Sequence, residues 1–230
     1  MAKKKTKKTP RQRMAAQKVV RAAGESPVVV HLLSYEITDE PMPDPRYPHL
    51  AEDVIERLHD LVTAQPKAAI PEVIEQIERH PDIPTLYNYL AVAYGQTGEI
   101  AKYEQVVQEY FQRFPDYLFA RMNSAELLLR KHDYDGVADL LNHTFDIGLF
   151  YPERKRFHIT EYTAFMGVVG LYHIGVGDLD AAENVLQALK GVAPDATITR
   201  RFEGEVVRER LKRALTVLER MVPGSSSPKR

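Results

Sequence analysis

Apolar residues recur at intervals of three or four positions from Leu50 to Val222, and polar or charged residues fill most of the positions between them. This period places the apolar side chains on one face of an α-helix. Short turn sequences interrupt the pattern at Gly98, His132 and Gly177. The pattern therefore predicts an all-α structure, made of successive amphipathic helices joined by short turns.

The helical pattern also repeats along the chain. Gly98 and His132 are 34 residues apart, and so are Pro81 and Pro115, each of which closes a helical segment. A fixed period of this length is typical of one helix pair per repeat. The spacing predicts a helical domain at 49–222, divided into a degenerate unit at 50–83, units at 84–117, 118–151 and 163–196, and a capping helix at 197–222, with a disordered tail at 223–230.

Residues at equivalent positions of these units resemble the tetratricopeptide-repeat (TPR) pattern of W-x2-L-G-x2-Y, then A-x3-F, then P. The first unit matches it at Tyr87, Leu90, Ala91, Tyr94, Gly98, Val107 and Pro115, and the third at Val169, Gly170, Gly177, Leu179, Ala182, Leu186 and Pro194. Small residues are needed where two helix backbones approach closely, as Gly170 and Ala182 would allow. The resemblance implies a TPR-like α-solenoid of antiparallel helix pairs, a class that mainly presents binding surfaces.

Two further features depart from a plain repeat. About eleven extra residues separate the second and third units, and Pro152 is typical of a first helical turn. We therefore expect the first helix of the third unit to begin near Pro152, with 149–151 as an apolar loop that either has no function or forms part of a partner-binding edge. The capping helix is expected to bury one apolar face, formed by Ile198, Phe202, Val206, Leu211, Leu215, Leu218 and Val222.

Charge is unevenly distributed, although the net charge of the chain is only −1. Residues 1–22 contain nine basic residues and no acidic one, whereas the rest of the chain is acidic. Residues 1 to about 13 are expected to be disordered, whereas 14–22 could form a short helix that ends at Gly24. The arm either serves as a solubilising tail or binds nucleic acid, a ribosome or another anionic partner. The arm residues expected to contact an anionic partner are seven of these nine, Lys3, Lys4, Lys5, Lys7, Lys8, Arg11 and Arg13; the other two are Lys18 and Arg21.

Between the arm and the helices, at 28–33, lies an apolar stretch of strand length, followed by four prolines within 39–48. The prolines predict an extended linker, so that 1–48 is expected to consist of the arm, the apolar stretch and this linker. We expect 28–33 to pack on the helical body, although homodimerisation through 28–33 or through Phe150 and Tyr151 is an alternative.

The sequence disfavours catalysis, metal binding and insertion into a membrane. The chain has no Cys and no apolar run long enough to span a membrane, and it shows no secretory signal, so a cytoplasmic location is expected. Asp133 is interpreted as a helix N-cap, and His173 as a buried packing residue. His158 and Glu161 lie three residues apart, but a metal would need more ligands. We expect no enzyme activity, no catalytic residues, no metal and no cofactor.

The TPR resemblance implies a peptide-binding groove, because the first helix of each pair lines the concave face in that family. The positions that correspond are Asn88, Val92, Gln96, Phe119, Met122, Asn123, Glu126, Arg130, Leu171 and Ile174. They mix apolar side chains with amides, which suits a peptide with apolar anchors and backbone hydrogen bonds. The alternative is that several of them only pack against 28–33 or against each other. The sequence therefore predicts a non-enzymatic adaptor or scaffold for a protein or peptide partner, with nucleic-acid binding through 1–22 as the alternative.

Overall fold

A computed structural model describes residues 13–14 and 35–221. That part of the chain contains ten α-helices and three short strands. This confirms the predicted fold class, which is all-α with TPR-like antiparallel helix pairs and a C-terminal capping helix. The helices are α1 Glu52–Ala64, α2 Pro66–Arg79, α3 Pro84–Thr97, α4 Ile100–Arg113, α5 Leu118–Arg130, α6 Tyr134–Leu140, α7 Ile147–Phe150, α8 Ile159–Gly175, α9 Leu179–Val192 and α10 Thr197–Met221. The strands are β1 Arg13–Met14, β2 Glu36–Thr38 and β3 Arg156–His158.

The described residues fall into two compact units. The first unit comprises 39–143, and the second comprises the described residues of 11–38 together with those from Thr144 onward. The boundary lies inside the repeat predicted at 118–151. It follows Asn142 and His143, whose φ angles of 51° and 52° lie in the left-handed region and turn the chain away from the end of α6.

In the first unit, α3 lies between α1 and α5, α2 packs against α1 and α3, α4 packs against α3 and α5, and α6 packs against α5. The 34-residue period appears directly in one contact, since the Tyr89 hydroxyl on α3 donates a hydrogen bond to the Ile55 carbonyl on α1 at 3.4 Å. The core between the pairs is apolar and includes Leu58, Val73 and Leu86, all fully buried. Burial of these faces stabilises the pairs, because helices this short are marginal alone in water.

A cluster of aromatic residues closes the junction between the second and third pairs. Tyr87, Tyr110, Phe114 and Tyr117 contact one another with ring centroids 5.5 to 6.1 Å apart. Tyr47 joins this cluster edge-on, 5.6 Å from both Phe114 and Tyr117. The prediction that 39–48 is an extended linker is therefore wrong at its C-terminal end, where the chain forms a turn and packs on the helices.

The third pair ends early because α6 has only seven residues. Its start agrees with the sequence-based interpretation, since the Asp133 carboxylate accepts a hydrogen bond from the Gly136 amide at 2.9 Å and caps the helix.

The second unit contains a three-stranded sheet that the sequence analysis did not predict. Strand β2 is central: it pairs antiparallel with β1 and parallel with β3, with Ile37 opposite Phe157. Both of these residues are buried, whereas the flanking Glu36 and Arg156 form a surface ion pair at 3.2 Å. Arg13, expected in the disordered arm, lies in β1. The apolar stretch at 28–33 is outside the described residues.

Pairing of β3 with β2 corrects the predicted start of the third repeat. Helix α8 begins at Ile159 rather than near Pro152, because 156–158 are extended and His158 caps the helix. Residues 147–150 form the short helix α7 rather than an apolar loop. Tyr151 is buried and Phe150 packs against Phe165 with ring centroids 5.5 Å apart, so these two side chains belong to the unit's own packing rather than to an exposed dimer interface.

Helix α10 packs across α8 and α9, as expected of a capping helix. Phe202 and Val206 are buried there, and the ring of Phe202 lies directly over Gly170. The prediction of a single apolar face is wrong, however, because Leu211, Leu215 and Leu218 are exposed on another side of the helix. The step of five residues from Val206 to Leu211 rotates the position by about 140° at 3.6 residues per turn.

Candidate functional site

The surface formed by α3 and α5 in the first unit carries the central groove residues. Asn88 on α3 and Asn123 on α5 meet across the two helices, where Asn123 Nδ2 donates a hydrogen bond to Asn88 Oδ1 at 3.0 Å. Both side chains are partly exposed. A side-chain amide has two donor hydrogens and one acceptor oxygen, so this bond leaves donor capacity on Asn88 and acceptor capacity on Asn123.

The asparagine pair has apolar and polar neighbours along the same helices. Val92 follows Asn88 by one helical turn and is 36% exposed, and Gln96 is exposed one turn further on. On α5, Phe119 precedes Asn123 by one turn and is half-buried against Tyr117, with ring centroids 5.7 Å apart. Each of the two helices thus presents an apolar side chain one turn away from an asparagine amide.

The other two groove positions on α5 extend this surface toward its end. Glu126 is half-buried and Arg130 is exposed. The Arg130 guanidinium carbon lies 5.3 Å from the ring centre of Tyr103 on α4, a cation–π contact that turns it toward the second helix of the preceding pair. Sequence reasoning did not identify Tyr103 as its partner.

The structure places one predicted groove residue, Met122, differently. Met122 is only 2% exposed and belongs to the core rather than to an accessible surface, which corrects its assignment. Met122 directly precedes Asn123, and the rotation of about 100° between consecutive helical residues places it on the buried side of α5. Leu171 and Ile174 lie on α8 in the second unit and are half-buried there.

His158 and Glu161 form a capping box at the start of α8 instead of a ligand pair. The Glu161 carboxylate accepts a hydrogen bond from the His158 backbone amide at 2.9 Å and holds the Arg154 guanidinium through two bonds of 2.9 and 2.7 Å. The guanidinium also lies 4.5 Å from the centre of the Phe157 ring. These partly buried contacts fix the turn that leads from β3 into α8.

His173 is half-buried, as a packing residue would be, and lies beside two aromatic rings. The centre of its ring is 5.3 Å from that of Phe145 and 5.5 Å from that of Tyr172, and those two aromatic rings stack at 4.8 Å. Across the described residues, no group of three His, Asp or Glu side chains is arranged to bind a metal ion. No helix among them is long and apolar enough to cross a membrane.

The basic arm at 1–22 lies outside the described residues except for the backbone of Arg13 and Met14. Binding of nucleic acid through it stays a prediction from the sequence.

Comparison with known proteins identifies no family. No family model matches the chain, and no curated protein matches it. Among solved structures, the chain is similar to the "MamA RS-1 ArsTM double mutant", with 14% identity and a TM-score of 0.41 over 70% of this chain and 93% of that one. It is also similar to "MamA 41-end from Desulfovibrio magneticus RS-1", with 16% identity and a TM-score of 0.41 over 75% of this chain and 94% of that one.

Proposed function

We propose that this protein is a non-enzymatic adaptor that binds an extended peptide segment of a protein partner along α3 and α5 of its first unit. The observation that carries the proposal is the amide pair of Asn88 and Asn123, which bridges two neighbouring helices on a partly exposed surface. The remaining donor and acceptor match the two groups that a peptide bond offers, a carbonyl oxygen and an amide hydrogen.

Apolar side chains near the asparagines would supply the other half of the interaction. Val92 and Phe119 retain accessible surface within one turn of the amides, and they favour a peptide with apolar side chains spaced along it. Hydrogen bonds from amides orient such a peptide, while burial of its apolar side chains contributes most of the affinity.

Selection of peptides from a random phage-displayed library on the immobilised full-length protein tests the proposal. Affinities of the recovered peptides are then measured by fluorescence polarisation. We expect Asn123→Ala to weaken binding about tenfold, because a peptide bond loses its hydrogen-bond partner. Val92→Lys is expected to have at least this effect, and it changes a surface position that folding tolerates.

Gln105→Ala provides the matched control, since Gln105 is an exposed amide on α4, away from the asparagine pair. It should leave affinity unchanged. Circular dichroism establishes that each variant is folded. Recovery of peptides whose affinity is equally indifferent to Asn123→Ala, Val92→Lys and Gln105→Ala would refute the proposed site.

A further inference from the structure

The outer side of α10 is an apolar surface that the second unit leaves uncovered. Four large side chains lie along it, with exposed fractions of 46% for Val207, 60% for Leu211, 59% for Leu215 and 58% for Leu218. We refer to these four residues as the outer stripe. On the opposite side of the helix, Phe202 and Val206 are buried against the rest of the unit.

The second half of α10 has few contacts with the rest of its own unit. Every residue from 211 to 219 is exposed. On the inner side of the helix, the Arg213 guanidinium donates a 2.7 Å hydrogen bond to the Gly177 carbonyl. Amphipathic helices owe most of their stability to packing of the apolar face. A leucine stripe on such a helix is typical of an interaction surface rather than of isolated surface residues.

We propose that two copies of this chain associate by antiparallel packing of the C-terminal part of their outer stripes, from Leu211 to Leu218. In a two-fold symmetric pair each contact occurs twice, so a helix face must be complementary to itself. Leu215 and Leu218 satisfy this condition, because placing Leu215 against Leu218 of the second copy places Leu218 against Leu215 as well. The spacing of Leu211, Leu215 and Leu218 by four and three residues is the apolar repeat of a two-helix interface.

Charges beside the stripe support this orientation. In the antiparallel register set by Leu215 and Leu218, Lys212 of one copy lies beside Glu219 of the other, and the symmetry forms this pair twice. Both side chains are exposed, and Lys212 also lies 3.6 Å from Glu209 of its own helix. A parallel arrangement instead places Lys212 beside Val207 and Glu219 beside Ala214, without any charge pairing.

The position of the folded unit on α10 also favours the antiparallel arrangement. The unit packs on the inner side of the first half of the helix, through Phe202 and Val206. Antiparallel pairing of the second halves therefore puts the two folded units at opposite ends of the helix pair. The outer stripe faces away from the packed side, so a second helix approaches it without displacing Phe202.

Sedimentation equilibrium of the full chain over the micromolar range tests the proposal. We expect a monomer–dimer equilibrium that weakens roughly tenfold to hundredfold in Lys212→Glu and in Glu219→Lys, because each reversal places two like-charged pairs in the interface. The double variant Lys212→Glu with Glu219→Lys restores opposite charges and should restore the affinity to within a few fold.

Control variants separate this interface from general surface effects. Glu78→Lys reverses an exposed charge on α2 and should not change the dimer, and Ile100→Glu replaces a side chain of similar exposure on α4 with the same expectation. Leu215→Glu should give a monomer. All five positions are exposed, and circular dichroism verifies that the helical content is retained.

Three results would overturn the proposal. The first is a wild-type protein that stays monomeric throughout the concentration range. The second is failure of the double charge reversal to recover association, which excludes the antiparallel register. The third is a dimer that forms only after removal of 1–34, which would show that a segment of the same chain covers the stripe. Peptide binding by Asn123 is expected to be unaffected by any of these variants, so the two proposals are tested separately.

Discussion

Substitution of Gly170 by alanine tests how α8 and α10 fit together in the second unit. A Cβ atom added at Gly170 would lie 2.7 Å from both Cε atoms of Phe202, and closer still to Cζ. Carbon atoms in contact normally lie about 3.5 to 4.0 Å apart. Phe202 is 1% exposed, so its ring cannot move aside into solvent. Either the ring leaves its rotamer or α10 moves away from α8.

The expected free-energy change follows from two opposing terms. Overpacking at a rigid buried contact costs about 3 kcal/mol, at the upper end of the usual range. Replacement of glycine by alanine in a helix interior contributes about 1 kcal/mol of stabilisation. We therefore expect Gly170→Ala to lower the free energy of unfolding by about 2 kcal/mol, or the melting temperature by about 4–8 °C.

Gly204→Ala on α10 is the matched control. No atom lies within 4 Å of a Cβ built there, so only the helix-propensity term applies, and stability should rise by about 1 kcal/mol. Urea unfolding followed by circular dichroism at 222 nm measures both variants, because the chain contains no Trp for fluorescence. Hydrogen exchange then shows whether the lost protection lies in α8 and α10.

A double-mutant cycle identifies the contact responsible. Phe202→Leu removes the ring atoms that the new Cβ would meet, so the combined cost with Gly170→Ala should be at least about 1 kcal/mol smaller than the sum of the single costs. Equal stability of Gly170→Ala and Gly204→Ala would refute the reasoning, since it would mean that the contact between α8 and α10 is loose.

Other predictions concern buried polar groups. The Tyr110 hydroxyl is buried without a hydrogen-bond partner among the described residues, so Tyr110→Phe should raise the free energy of unfolding by about 1 kcal/mol; Tyr87→Phe, which loses a 3.1 Å bond to the Pro81 carbonyl, should lower it by a similar amount in the same urea assay. Glu161→Gln should cost about 2–3 kcal/mol in thermal unfolding, because it leaves the partly buried Arg154 charge without its carboxylate. Burial raises the pKa of Tyr89 to about 12. Because this is above the ordinary value, the folded state gains stability that is complete below pH 10 and is lost as the pH rises from about 10 to 12; Tyr89→Phe should make stability less sensitive to pH in that window, and an unchanged pH profile would contradict this.

The sequence predicted the helical part of the molecule because the information for it is local. Turn signals at Gly98 and Gly177 and the helix cap at Asp133 act within a few residues, and apolar positions at helical spacing define which face is buried. The 34-residue period added one non-local fact, the adjacency of successive helix pairs. It correctly brought Asn88 and Asn123 onto neighbouring helices, although no residue pattern showed that their amides would bond to each other.

Assignment of individual side chains was weaker where one helix has more than one neighbour. Met122 and Asn123 are adjacent in sequence, yet one is core and the other is surface, since consecutive positions differ by about 100° around a helix. The same rotation of about 100° per residue places Val206 and Leu211 on different sides of α10, so the sequence could have predicted that this helix has two apolar faces. Only the structure decided which of these faces is covered.

By itself, the sequence determined where most helices begin and end and how often they pair, because hydrogen bonds within a helix and capping depend on nearby residues. Tertiary structure alone decided the pairing of Glu36–Thr38 with Arg156–His158, and with it the start of α8 at Ile159 rather than near Pro152. Three-residue strands carry almost no periodic signal of their own. They are stable only when a partner far away in the chain supplies the backbone hydrogen bonds, and that partner is brought close only by the folded unit.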